Sequence, residues 1–284
     1  MKCLGLLIGT LAASSPIVAE AALQNEPNRP TSAAATPATL VTRSVRAMGG
    51  ETLIGSILNL HSSGGISIQD TPIAKIDMKF AVGNRSLIRI AIKSEAFTSI
   101  TEIGCDGTTA WELERSSDLV GAAADRVMLL KPAELNERVK ANNWLGRVLQ
   151  LGSTVDSMRT IGTSDFHGSP SWEIEVRSES DPLRVFFDMK TRLVNGFRLE
   201  VNTPLEDPAT PAEPIYLDIV FSDWKDVKGI KLFHKVQILQ EQQQVSIDYD
   251  SIEVNSLEND DFVLPPEIRS LIEEQTTSPE TDRD

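Results

Sequence analysis

After residue 58, apolar residues recur at every second position over long stretches of this chain, and that period decides most of what it can fold into. Ile76, Met78, Phe80 and Val82 alternate with Lys75, Asp77, Lys79 and Ala81, and Ile88, Ile90 and Ile92 alternate with Leu87, Arg89, Ala91 and Lys93. Successive side chains of a strand point to opposite faces, so this alternation gives antiparallel strands with one dry and one wet face. Gly83-Asn84 between the two runs is a turn signal. Two more strands are expected around 98–104 and 109–114, joined through Asp106-Gly107, so that residues 58–115 form a meander.

A second β stretch begins near Met158. Trp172, Ile174 and Val176 alternate with Glu173, Glu175 and Arg177, and Leu183, Val185 and Phe187 make the next strand, closed by a turn at Asp188-Met189-Lys190-Thr191. Strands over 192–201, 215–224, 230–239 and 244–254 complete it, and the slip of apolar phase between Tyr249 and Ile252 points to a bulge. Between the two β stretches, Pro132 suits the first turn of a helix whose stripe is Leu135, Val139, Leu145, Val148 and Leu149, stopped by Gly152. An earlier helix starts after Pro37, carries Val41, Val45 and Met48, and ends at Gly49-Gly50, with Leu53, Ile54 and Ile57 giving a further turn or two. Pro265-Pro266 opens a short helix bearing Ile268, Leu271 and Ile272, and 204–214 is a Pro- and acid-rich loop. The fold class expected is mainly β (α+β): a strongly curved antiparallel sheet, a half-barrel, with helices packed in or capping its concave face.

The N-terminus reads as an address. Lys2 precedes an apolar run from Leu4 to Ala13, too short to span a bilayer, and Ala19-Glu20-Ala21 has the form of a cleavage site. Residues 1–21 are expected to be a signal peptide, 22–37 a flexible linker, 38–272 a single domain and 273–284 a disordered acidic tail. An exported protein, periplasmic or extracellular, with no transmembrane segment follows. Cleavage removes Cys3 and leaves Cys105 alone, with no intramolecular disulfide possible. Beside Asp106-Gly107 it reads as a strand-end residue with no group to activate it. Lys+Arg 27 against Asp+Glu 41 gives a net charge of −14, which repels phosphate backbones and argues against nucleic acid as a partner.

Five motifs in order resemble a known family. They are Arg46-Ala47-Met48-Gly49-Gly50-Glu51, the run from Asp106 to Glu112, Phe187-Asp188-Met189-Lys190-Thr191, the run from Asp223 to Leu232, and the run from Asn259 to Pro265. The series resembles the bacterial outer-membrane lipoprotein-sorting and carrier-like superfamily, the Lol-type half-barrels, over roughly residues 38–272. The resemblance implies a curved sheet closed by helices around an apolar cavity, which in the true carriers holds lipid acyl chains. This chain departs from them in its acidic balance, its loop 204–214 and its longer middle insertion.

Candidate chemistry is sparse. His61, His167 and His234 are not spaced as zinc ligands, and only His234, in phase with Ile230, Leu232, Val236 and Ile238, is a candidate for a cavity. Glu173 and Glu175 share a face with Arg177 and read as a solvated side; Asp260-Asp261 reads as a chain reversal rather than a calcium site. No nucleophile elbow, phosphate loop or dinucleotide fingerprint occurs, so catalytic residues, metal ligands and cofactors are all expected to be none. The candidate ligand-lining residues are Ile76, Met78, Phe80, Ile88, Ile90, Ile92, Leu217, Ile219 and Phe221. The function expected is binding without catalysis: a lipid, acyl chain or lipoprotein held in the half-barrel. The alternative is a filled core that recruits an envelope or secreted protein partner.

Overall fold

The computed structural model describes residues 35–95, 97–118, 123–177, 183–201, 215–240 and 243–277. The expected signal peptide, nearly all of the linker and the loop 204–214 lie outside them. Helices α1 (Pro37–Ala47) and α2 (Glu51–Gly55) lead into strands β1 (Asn59–Ile68), β2 (Thr71–Ala81), β3 (Arg85–Lys93), β4 (Phe97–Asp106), β5 (Ala110–Asp118) and β6 (Ala123–Leu129). Helices α3 (Pro132–Asn142) and α4 (Trp144–Leu149) and a 3-10 turn (Leu151–Ser157) follow. Then come β7 (Met158–Phe166), β8 (Ser169–Val176), β9 (Leu183–Asp188), β10 (Val194–Val201), β11 (Ile215–Val227), β12 (Ile230–Gln240) and β13 (Gln243–Val254). A 3-10 turn (Asn259–Phe262) and α5 (Pro266–Thr277) end the described chain.

The thirteen strands of the described residues form one open antiparallel sheet in the order β6-β5-β4-β3-β2-β1-β13-β12-β11-β10-β9-β8-β7. Two meanders are thus joined where the first strand pairs with the last. The topology has one large consequence. The sheet edges β6 and β7 are consecutive in sequence, so the chain between them must travel from one end of the sheet to the other. It does so across the inner face. Leu135 of α3, Trp144, Leu145 and Val148 of α4 and Leu151 join Leu40, Val41 and Met48 of α1 in one core with the inward residues of both meanders. The concavity is therefore filled largely by the protein's own helices, as a curved sheet with one apolar face requires.

Local chemistry explains the joints. Thr36 caps α1 by accepting from the Thr39 N–H at 3.3 Å, and Pro37 occupies its first turn. The helix stops at Gly49 with φ of 128°, where a Cβ would lie 2.5 Å from the Gly229 carbonyl oxygen. The Lys231 N–H donates to the Met48 carbonyl at 2.8 Å, so the first and fourth sequence motifs are two halves of one joint. Gly83 and Asn84 both have positive φ, the geometry of a tight hairpin. The expected bulge is present: Ser63 faces Ser251 and Gly64 faces Tyr249, leaving Asp250 extra on β13.

The structure also corrects four expectations. Strand β6 was not expected, because Ala123-Ala124-Asp125-Arg126 shows no alternation; it forms by pairing with β5. The middle helix is two helices, broken at Asn143, whose ψ of 64° leaves the helical region. Glu173 is not solvated: it is 6% exposed and held by Arg184 at 2.8 Å. Helix α5 continues through residues 273–277, where a disordered tail was expected. It covers the outer face, where Ile268 packs with Trp111 and Leu113.

Candidate functional site

One end of the half-barrel is not filled. A cavity of about 580 Å³ opens between the α2–β1 corner, the β2–β3 turn and the inner sides of α3 and α4. That volume falls in the range of about 300–1,000 Å³ usual for small-molecule sites. Ile54, Ile57, Leu60, Phe80, Leu135, Val139 and Leu149 give it apolar walls, Ser86 lies among them, and Asn84, Asn136 and Gln150 stand on exposed positions around it.

Each wall is positioned by a local device. The Asn255 carboxamide oxygen, on a residue with φ of 55°, accepts from the N–H groups of Leu58 (2.7 Å) and Asn59 (3.2 Å), and its Nδ2 donates to the Ser56 carbonyl at 2.9 Å. The Val82 N–H donates to the Leu58 carbonyl at 2.9 Å. These bonds hold Leu58 and Val82 at the rim, 57% and 53% exposed. Opposite them, Glu134 accepts from the Lys131 N–H at 2.8 Å and starts α3, while the Asn143 carboxamide accepts from the Gly146 N–H at 2.8 Å and starts α4. A Cβ at Gly146 would sit 2.4 Å from the Asn143 side chain, so that cap requires glycine. Arg138 of α3 reaches the buried carboxylate of Glu112 on β5 at 3.3 Å, which ties the helix to the sheet beside the cavity.

The nine expected lining residues are brought together, but mostly elsewhere. Ile76, Met78, Ile88, Ile90, Leu217, Ile219 and Phe221 are buried in the central core under the helices. Phe80, half-buried, is the one member of the set that lines the open cavity. Ile92 is half-buried further along β3. Sequence reading missed Ile54, Ile57, Leu60, Leu135, Val139 and Leu149. All of these carry the correct apolar signal, but nothing in their spacing says that the helices stop short of one end.

Several polar pairs outside the cavity are structural ties. His61 pairs with Asp77 at 2.7 Å, and Lys79 with Asp261 at 2.6 Å. The hydrogen bond from Lys79 holds the Asp261 carboxyl below its ordinary value. On the outer face Arg198 grips Asp218 with two bonds of 2.7 and 2.8 Å, and His167 adds a third contact at 2.9 Å. Burial pushes the Asp218 carboxyl up, but the bonds from Arg198 and His167 outweigh it and hold it low. The guanidinium lies over Phe166 and Phe186, whose rings stack 4.0 Å apart. His234 is buried, lies 3.2 Å through Nδ1 from the Leu232 carbonyl, and does not line the cavity. Cys105 is buried, and burial pushes its thiol up. Among the described residues no group of three or more His, Cys, Asp or Glu could hold a metal, and no helix is long and apolar enough to cross a membrane.

No family model matches the chain, and no curated protein does. Among solved structures, the crystal structure of LprF from Mycobacterium bovis is similar at 12% identity, with 81% of this chain and 96% of that chain covered and a TM-score of 0.30. Likeness at that level transfers neither architecture nor ligand.

Proposed function

We propose that this protein is an exported binding protein that holds a single apolar chain, such as the acyl chain of a lipid or lipoprotein, in the end cavity, and does no chemistry on it. The observation that carries this reading is the cavity itself: about 580 Å³ of space lined by both apolar and polar residues, the apolar ones including Ile54, Leu60, Phe80 and Val139, and bordered by two apolar side chains held out toward solvent. Export is proposed from the character of residues 1–21. The order of motifs that resembles the Lol-type half-barrels agrees with an apolar ligand. The space suits one chain end rather than a whole multi-chain lipid, because the helices occupy the rest of the concavity.

A plug tests it. Val139 is half-buried in the cavity wall, and Val139→Trp places an indole in the open space. The parent should bind a neutral apolar fluorophore and release it to a long-chain alcohol. The variant should stay folded and bind at least tenfold more weakly, since a filled pocket offers little apolar area to cover. A parent that binds no apolar probe overturns the reading. The filled central core favours a second reading, an interaction domain that recruits an envelope or secreted partner, and that outcome would support it.

A further inference from the structure

Ser86 lines the cavity and is only 5% exposed, yet its hydroxyl has no hydrogen-bond partner among the described residues. It shares the inner phase of β3 with Ile88 and Ile90 and lies opposite Phe80 on β2 and Cys105 on β4. With no protein partner, the hydroxyl is left to bond whatever occupies the cavity, water or the polar end of a ligand.

The charges around it narrow the choice of ligand. Arg85 is the one charged side chain among the residues that line the cavity. Alternation along β3 turns it away from Ser86. Its Nε donates to the Val82 carbonyl at 3.2 Å, its Nη1 donates to the Asn259 carboxamide oxygen, and its guanidinium lies 5.5 Å above the Phe262 ring. Among the described lining residues, no cation therefore faces the hydroxyl. A carboxylate or phosphate placed against Ser86 would lose water and gain no counter-charge, whereas an uncharged oxygen needs only one hydrogen bond. Resting on the cavity reading above, we infer that the site selects an uncharged amphiphile, an apolar chain ending in a hydroxyl or carbonyl oxygen. Ser86 is the residue that reads that end.

The test uses displacement of N-phenyl-1-naphthylamine by 1-decanol, decane and decanoate at pH 8. Decanol should displace the probe at about five- to tenfold lower concentration than either of the others, the weight of one good hydrogen bond. Ser86→Ala should abolish the preference for decanol over decane while leaving decane unchanged, and its thermal midpoint should be equal or higher because the hydroxyl gives up no partner. Ser86→Thr should retain the preference. Equal displacement by decanol and decane in the parent, a decanoate preference, or a preference that survives Ser86→Ala overturns the assignment of Ser86 and leaves the cavity reading standing. A parent that does not bind the probe at all removes both.

Discussion

Trp144→Ala is the substitution that best probes how the inner face is filled. The indole is 1% exposed, its centroid lies 6.4 Å from that of Phe197, and Phe197 in turn meets Phe221 edge-on at 5.1 Å. The Arg147 guanidinium covers it at 5.1 Å. Trp144 is thus the residue through which α4 docks on the second meander. Truncating a buried aromatic costs about 3–5 kcal/mol, from lost transfer energy plus the cavity left behind. For a chain of this size that corresponds to a thermal midpoint lowered by about 6–20 °C. The indole N–H has no acceptor among the described residues, so Trp144→Phe surrenders no hydrogen bond and should cost only about 1–2 kcal/mol. The assay is calorimetry or circular dichroism melting of parent and both variants at one pH. A loss below about 1 kcal/mol for Trp144→Ala would refute the claim that the crossover helices fill the concavity, because an exposed aromatic is cheap to remove.

Other outcomes follow from the same geometry. Asp218→Asn should lower stability by about 2–3 kcal/mol at pH 7, less than the ~3–5 of a fully buried pair because Arg198 is one-third exposed. The Asp218 pKa is depressed in the folded state, so its contribution is present above the unfolded value of about 3.9 and fades as pH falls through the folded value. Melts of parent and variant should therefore differ at pH 7 and converge in acid; a gap that widens in acid would contradict the assignment. Phe80→Asp should abolish probe binding or unfold the protein, while Lys93→Asp, on an exposed position, should stay within about 0.5 kcal/mol of the parent in a denaturant melt. Lys79 is unsuitable as that control, because it pairs with Asp261. Cys105→Ser should leave probe binding intact at a cost of about 1 kcal/mol, and the native thiol should react with an aromatic disulfide reagent only on unfolding.

Much of the fold was legible because the signals were local. Alternation at Ile76–Phe80 and Ile88–Ile92 named the dry face, the Gly83-Asn84 and Asp106-Gly107 pairs named the hairpins, and the phase slip after Tyr249 located the bulge. Strand β6 was illegible because Ala123 and Ala124 present no contrast between faces; its pairing with β5 is a tertiary gain that no periodicity records. Glu173 misled for a related reason: alternation says which face a residue takes, but not that Arg184 will lie over it. The site was the least legible part. Ile219 and Val139 carry the same apolar signal, and only the path of the crossover helices decides that the first is sealed in the core and the second borders open space. That path follows from β6 and β7 being the sheet edges, which depends on the pairing of β1 with β13 nearly two hundred residues apart.

Methyl NMR with a spin-labelled apolar chain addresses the central claim most directly. The claim is that a ligand enters at the end cavity and does not penetrate the central core. Bound label should broaden the methyl signals of Leu58, Leu60, Val82, Leu135 and Val139, which line the cavity, and leave those of Val185 and Val194 on the far meander sharp. Broadening centred on Val185 and Val194, or no broadening at saturating label, would contradict the account.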